Sequence, residues 1–163
     1  MTASNQNVNL IELSVFLKKH YEVLDRSDLF KLEKGDHIAV AIPQIPNALH
    51  HGIFVGHSEV DGEPYVIDFG PVERKENSST SIIPVTVPGE FQLQTFKSFC
   101  GNQLSFARFC YPPIYNTPSI RNKVLERAYK FLEKKQLGYN LAYSNCESFA
   151  FYCWTELYVY FKF

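Results

Sequence analysis

The chain has no long apolar run. No stretch of roughly 18 uncharged apolar residues occurs, and the nearest, Phe149 to Phe163, is broken by Glu156 and Lys162. A transmembrane helix is therefore not expected. A secretory leader is not expected either: the start lacks basic residues, and Glu12 and the Lys18-Lys19 pair interrupt its apolar positions. An excess of one charge is also missing. The net charge is −1, so no global field attracts nucleic acid, and no nucleic-acid partner is expected. No CxxC or metal-ligand spacing relates the four cysteines, Cys100, Cys110, Cys146 and Cys153, and neither metal nor cofactor is implied. A chain of 163 residues needs no disulfide staples. Free thiols in a reducing, cytoplasmic setting are the simplest expectation, with any membrane contact peripheral. No internal repeat is visible.

What the chain does have is core. The hydrophobic fraction is 45%, and 15% of residues are aromatic, enough for one globular domain with a short extension. Leu10, Leu13, Leu17, Tyr21 and Leu24 recur at helical spacing and predict an amphipathic helix over 8–24. Gly35-Asp36 is a turn. His37 to Ile42 reads as a strand stopped by Pro43 and Pro46, His50 to Gly56 as a second, and Tyr65 to Phe69 as a third, with Asp61-Gly62 as a hairpin turn between the last two. Residues 73–81 read as a polar loop. Ile82 to Val87 reads as a strand ended by Pro88-Gly89. Phe91 to Phe99 fits helix and strand alike, and Leu104 to Tyr111 reads as strand. Thr117-Pro118 opens a helix, with Thr as N-cap and Pro in the first turn, and Gly138 is its expected C-terminal stop. That helix carries a basic face, Arg121, Lys123, Arg127 and Lys130 among it, which reads as solvated, with lipid headgroups as the minority alternative.

The last helix carries the chemistry. Ser144 and Glu147 have the S-x-x-E spacing of a capping box, which starts a helix at Ser144 and places Cys146 in its first turn. Free N–H groups and the positive end of the helix dipole there favour a thiolate, the form in which cysteine is a nucleophile. The helix is apolar nearly all round, which predicts burial against the sheet.

A cysteine nucleophile needs a base and a group that orients the base. Of the five histidines, His20 sits at a helix end, His57 in a turn, and His37 has no evident partner. His50 and His51 share a strand on opposite faces. His51 lies with Ile53 and Val55 and reads as a buried, hydrogen-bonded core histidine. His50 lies with Gly52 and Gly56, where missing side chains leave room for the cysteine helix to approach. His50 is the preferred base. Asp68, the one charge in Tyr65 to Phe69, is the preferred orienter. It shares the face of His50 only if paired residues of the hairpin have an even index sum. Its alternative is a solvent-facing strand residue.

These residues carry a resemblance. Asn145-Cys146-Glu147-Ser148-Phe149 resembles the Asn-Cys-Glu-His-Phe motif of the lecithin:retinol acyltransferase (LRAT) or NC family, in the permuted NlpC-type branch of papain-like thiol enzymes. His50 to Gly56 resembles the family's His-aromatic-Gly/Ala-Ile-Tyr-Val/Leu-Gly strand, and Val66 to Pro71 its Val-Val-His-Leu-x-Pro strand. Gly35-Asp36, Arg127-Ala128 and Tyr139 also fit. The resemblance implies an α+β fold, a small antiparallel β-sheet with the nucleophile helix packed on it, over 31–163, with 1–30 as a helical extension. It implies Cys146 as nucleophile, His50 as general base and Asp68 as orienter, with Tyr139 and His51 in support. The implied activity is a thiol-dependent acyltransferase or phospholipase A-type hydrolase acting on lipid esters through an acyl-Cys thioester. The alternatives are an NlpC-type peptidase or amidase and a non-catalytic NC interaction module. The chain departs from the family where Asp68 replaces a second histidine and Ser148 replaces the histidine of the cysteine motif.

Overall fold

The computed structural model describes residues 10–72, 86–139 and 145–156. Its strands are β1 (Tyr21–Asp25), β2 (His37–Ala41), β3 (Leu49–His57), β4 (Pro64–Pro71), β5 (Val87–Thr95), β6 (Ser105–Phe109) and β7 (Gln136–Tyr139). They form one sheet in the order β1-β6-β2-β3-β4-β5-β7, with antiparallel pairing throughout. The α-helices are α1 (Leu10–Lys19), α2 (Phe96–Cys100), α3 (Pro118–Lys134) and α4 (Cys146–Thr155). The fold is α+β.

Strand alternation divides the core between two faces. Ile53, Ile67, Phe69 and Phe91 point to one face, where α3 (Val124, Ala128, Phe131) and α4 (Phe149, Ala150, Cys153) cover them. Phe54, Val66, Ile38 and Val40 point to the other, against Phe96 and Phe99 of α2. Helix α4 packs against both α3 and β3, which explains why it is apolar nearly all round. α3 begins as expected, with Thr117 Oγ1 accepting from the Ile120 N–H at 3.2 Å and Pro118 at its first position.

Three local expectations are corrected and one open reading is resolved. The helix over 8–24 ends at Lys19, and Tyr21–Asp25, within the stretch read as a helical extension, becomes β1. Leu24 is buried while Tyr21 and Val23 are exposed, and the pairing of Tyr21 with Phe109 and Asp25 with Ser105 supplies backbone partners from far along the chain. Phe91 to Phe99 is strand and helix in turn, divided at Thr95, whose hydroxyl accepts from the Ser98 N–H and caps α2. Pro88-Gly89 does not end a strand; β5 runs through it. The Pro88 carbonyl accepts from the Val72 N–H at 2.9 Å, and a side chain on Gly89 would meet the Phe69 ring at 2.6 Å, so glycine permits the close packing. Gly138 lies inside β7, and α3 instead ends at Lys135, which takes the left-handed φ of 63°. The expected loop 73–81 and residues 82–85 lie outside the described residues.

Candidate active site

Cys146 is the first residue of α4, and the cap is Asn145. Asn145 Oδ1 accepts from the Ser148 N–H at 3.0 Å, and Ser148 Oγ accepts from the Asn145 N–H at 2.9 Å. The expected Ser144/Glu147 box is thus displaced by one residue, and Ser144 lies outside the described residues. Asn is as good an N-cap as Ser, so two overlapping capping patterns stood side by side and the second is used. Ser148, the residue that departs from the family motif, completes this reciprocal cap. Glu147 instead lines a cavity, where burial raises its pKa and Lys18 partly offsets the rise.

His50 is the second residue of β3. The register pairs Gly52 with Asp68, an even index sum, so Asp68 shares the face of His50. His50 Nε2 donates to Asp68 Oδ2 at 2.7 Å. Gln94 Nε2 donates to the same oxygen. Asp68 is fully buried, and its Oδ1 is the one buried side-chain polar atom among the described residues without a partner. A solvent-facing Asp68 is excluded. The His50 ring leans on Phe99, with centroids 5.3 Å apart.

The sulfur of Cys146 meets β3 at its first residues. The Leu49 carbonyl lies 3.8 Å from Sγ and can accept from the resting thiol. The Tyr139 hydroxyl donates toward Sγ at 4.0 Å. Cys146 is also close enough to His50 to raise the pKa of its ring. Nε2 is committed to Asp68, so Nδ1 is the nitrogen that serves the sulfur. Burial opposes charge on His50, but Asp68 and the nearby Cys146 outweigh it and raise its pKa to about 10. Tyr139 keeps its proton: burial first, then Cys146 and Asp68, raise it further. Its ring also packs on Phe69 at 5.1 Å, so it is both a core aromatic and a neighbour of the sulfur.

The expected reason for choosing His50 does not hold. Helix α4 packs on the Ile53 face, not on the glycine face. A side chain on Gly52 would strike Val66 at 2.6 Å and Phe99 at 2.9 Å. Gly56 has φ 95° and packs on the stem of Lys34. The glycines admit α2 and Lys34, while His50 lies near Cys146 because it stands at the end of β3, where the Leu49 carbonyl meets the sulfur.

His51 points to the opposite face. Its Nδ1 lies 2.8 Å from His37 Nε2, and His37 Nδ1 lies 3.0 Å from the Tyr111 hydroxyl. Burial, then the charge on His50, lowers the His51 pKa to about 3; burial and then His51 lower His37 well below the usual range. His51 is a buried, hydrogen-bonded histidine as expected, and it also lines a cavity of about 770 Å³ that includes Cys146 and Tyr139. Much of that wall is apolar: Ala39, Ala41, Ile42, Leu49 and Phe109 contribute to it.

Gln94 and the His37–Tyr111 pair were not anticipated. Gln94 sat in the segment that fitted helix and strand alike. His37 pairs with Ile53, which puts it on the face of His51, a relation visible only once the β2–β3 register is known. His20 and His57 are exposed and take no part. All four cysteines are free. Burial raises Cys100 to about 11 and pushes Cys110 and Cys153 up as well, so none of those three offers a ready thiolate at neutral pH. Among the described residues no group of three or more His, Cys, Asp or Glu side chains could hold a metal, and no helix is long and apolar enough to cross a membrane.

A search of curated proteins finds no match. A family model described as lecithin retinol acyltransferase matches residues 30–159, a span that contains His50, Asp68 and Cys146, and the chain belongs to that family.

Proposed function

We propose that the protein is a thiol-dependent acyltransferase or phospholipase A-type hydrolase that acts on lipid esters through an acyl-Cys146 thioester. The observation that carries this reading is the bond of His50 to the buried Asp68 carboxylate, on the strand end whose preceding carbonyl, that of Leu49, lies 3.8 Å from the Cys146 sulfur. His50 Nδ1 takes the thiol proton, and Asp68 stabilises the resulting imidazolium. The thiolate attacks the ester carbonyl and forms a tetrahedral oxyanion. The Cys146 backbone N–H, at the first position of α4 and directed toward the Tyr139 oxygen, and the Tyr139 hydroxyl are the donors for that oxyanion. Collapse breaks the C–O bond, and the imidazolium returns its proton to the departing alcohol. Water or an acceptor amine or alcohol, deprotonated by His50, then attacks the thioester and releases Cys146.

The apolar wall of the cavity suits an acyl chain, and the cavity volume lies in the range of small-molecule sites. The family supports acyl transfer in general. We take the architecture as the permuted NlpC arrangement, with residues 1–30 as an extension on a domain spanning 31–163, working in the cytoplasm with peripheral membrane contact.

The test is incubation with phosphatidylcholine vesicles, with a peptide-amide substrate in parallel. Lysolipid and fatty acid should appear, or a transacylated acceptor, and Cys146→Ala should give none. Turnover of the amide alone would move the protein to the peptidase reading, and inertness toward both would leave a non-catalytic module.

A further inference from the structure

His51 stands where the family strand has an aromatic residue, and the hydrogen bonds behind it have one direction. Tyr111 is buried, and burial holds its phenol well above the usual range. Its hydroxyl therefore keeps a proton. Among the described residues its hydrogen-bond partner is His37 Nδ1. A buried O–H with one partner donates to it, because the reverse polarity would leave the phenol proton unmatched. His37 Nδ1 is then an acceptor, and the proton of the neutral ring sits on Nε2. That Nε2–H donates to His51 Nδ1 at 2.8 Å. His51, neutral in its turn, carries its proton on Nε2.

Among the described residues His51 Nε2 has no hydrogen-bond partner. It is not among the buried polar atoms without a partner, a set that among the described residues holds Asp68 Oδ1 alone. The nitrogen is therefore reachable, and the space that His51 lines is the cavity shared with Cys146. The ring is held in place by Phe109, stacked at 5.4 Å and 16°. The chain is anchored at its far end, where Tyr111 stacks on Trp154 at 4.1 Å and the Trp154 indole donates to the Gly35 carbonyl at 3.0 Å.

We propose that His51 is a substrate-binding donor: its Nε2–H hydrogen-bonds an oxygen of the bound ester, in a tautomer locked by the one-way chain Tyr111→His37→His51. This rests on the acyl-transfer reading above. A neutral imidazole suits the task because its N–H polarises an oxygen without giving up a proton. It therefore does not compete with His50 for the thiolate. Lys18, Tyr21, Glu147, Tyr139 and Cys146 are the other ionisable groups on the cavity wall, with His50 on the far side of the strand.

Two measurements on the full chain test this. Long-range proton–nitrogen spectra at pH 7 should show His37 and His51 both neutral with the proton on Nε2, and Tyr111→Phe should mix the tautomers of His37. Either ring charged, or His51 carrying its proton on Nδ1, overturns the proposal. The second measurement is turnover of a phosphatidylcholine and of a p-nitrophenyl acyl ester. His51→Phe should lower kcat/KM by roughly 10²-fold on the ester that turns over. His51→Gln, which keeps an N–H near that position, should recover part of the loss. Alkylation of Cys146 by iodoacetamide should stay at the wild-type rate in both variants, which reports an intact fold and nucleophile. An active wild type with unaffected His51→Phe overturns this role alone. A wild type inert toward both esters overturns the acyl-transfer reading and this role with it, whatever the spectra show.

Discussion

His50 and His51 are neighbours on one strand, yet their surroundings drive them to opposite states. His50 is half-buried, shares a carboxylate with Gln94, and feels the nearby Cys146. Its charged form is favoured, with a pKa raised to about 10. His51 is buried against Phe109 and bonded to another neutral imidazole, and its charged form is disfavoured, with a pKa lowered to about 3. The difference comes from the pleat. Successive side chains leave a strand on opposite faces, so one step along β3 exchanges an anionic partner for an aromatic and neutral one. One histidine is thereby suited to moving a proton, and the other to holding one.

The comparison breaks most severely at the charged cluster. Cys146→Ala or His50→Gln should lower kcat by on the order of 10⁵–10⁶, and Asp68→Asn by on the order of 10⁴, since nucleophile and base act as a unit while the orienter is partly dispensable. Ester turnover with a thermal melt on each variant checks this; equal losses for His50→Gln and His51→Gln would erase the distinction between the two rings.

Stability against pH should separate the clusters by sign. His37 and His51 have lowered folded-state pKa values, so their neutral burial is uncompromised above about 6.5 and costs stability as pH falls below it, at up to about 1.4 kcal/mol per pH unit for each. His50 has a raised value, so its contribution is complete below about 6.5 and is lost as pH rises toward 10. Urea unfolding from pH 4 to 10 should show both limbs. The double variant His37→Phe/His51→Phe should flatten the acid limb, and Asp68→Asn the alkaline one. The smallest effect belongs to the cap. Ser148→Ala removes one of the two reciprocal bonds at the start of α4 and should cost about 1 kcal/mol in unfolding free energy with Cys146 still reactive.

The members of the charged cluster were legible in the sequence because each breaks a local pattern. Cys146 falls in a capped first turn, Asp68 is a lone charge among apolar strand residues, and His50 opens a strand. The faces they occupy were not legible. Gly52 reads as room for a helix, and which helix comes is decided by packing among α2, α3 and α4. The neutral cluster was less visible still. His37, His51 and Tyr111 come from three strands or strand ends far apart in sequence, and a histidine with no charged neighbour gives no local signal. The same limit explains β1 and β7. Each owes its strand state to a distant partner, β6 for one and β5 for the other, so local spacing assigned Tyr21 and Leu24 to a helix and Gly138 to a helix stop.

The central claim is that His50 and Cys146 share a proton as an activated pair, and iodoacetamide tests it without knowledge of the substrate. At pH 7, peptide mapping by mass spectrometry should find Cys146 alkylated well ahead of the exposed Cys110 and of the buried Cys100 and Cys153, with the rate falling at least roughly tenfold in His50→Gln and hardly at all in His51→Gln. Alkylation of Cys146 no faster than that of Cys110, or a rate indifferent to His50, would contradict it.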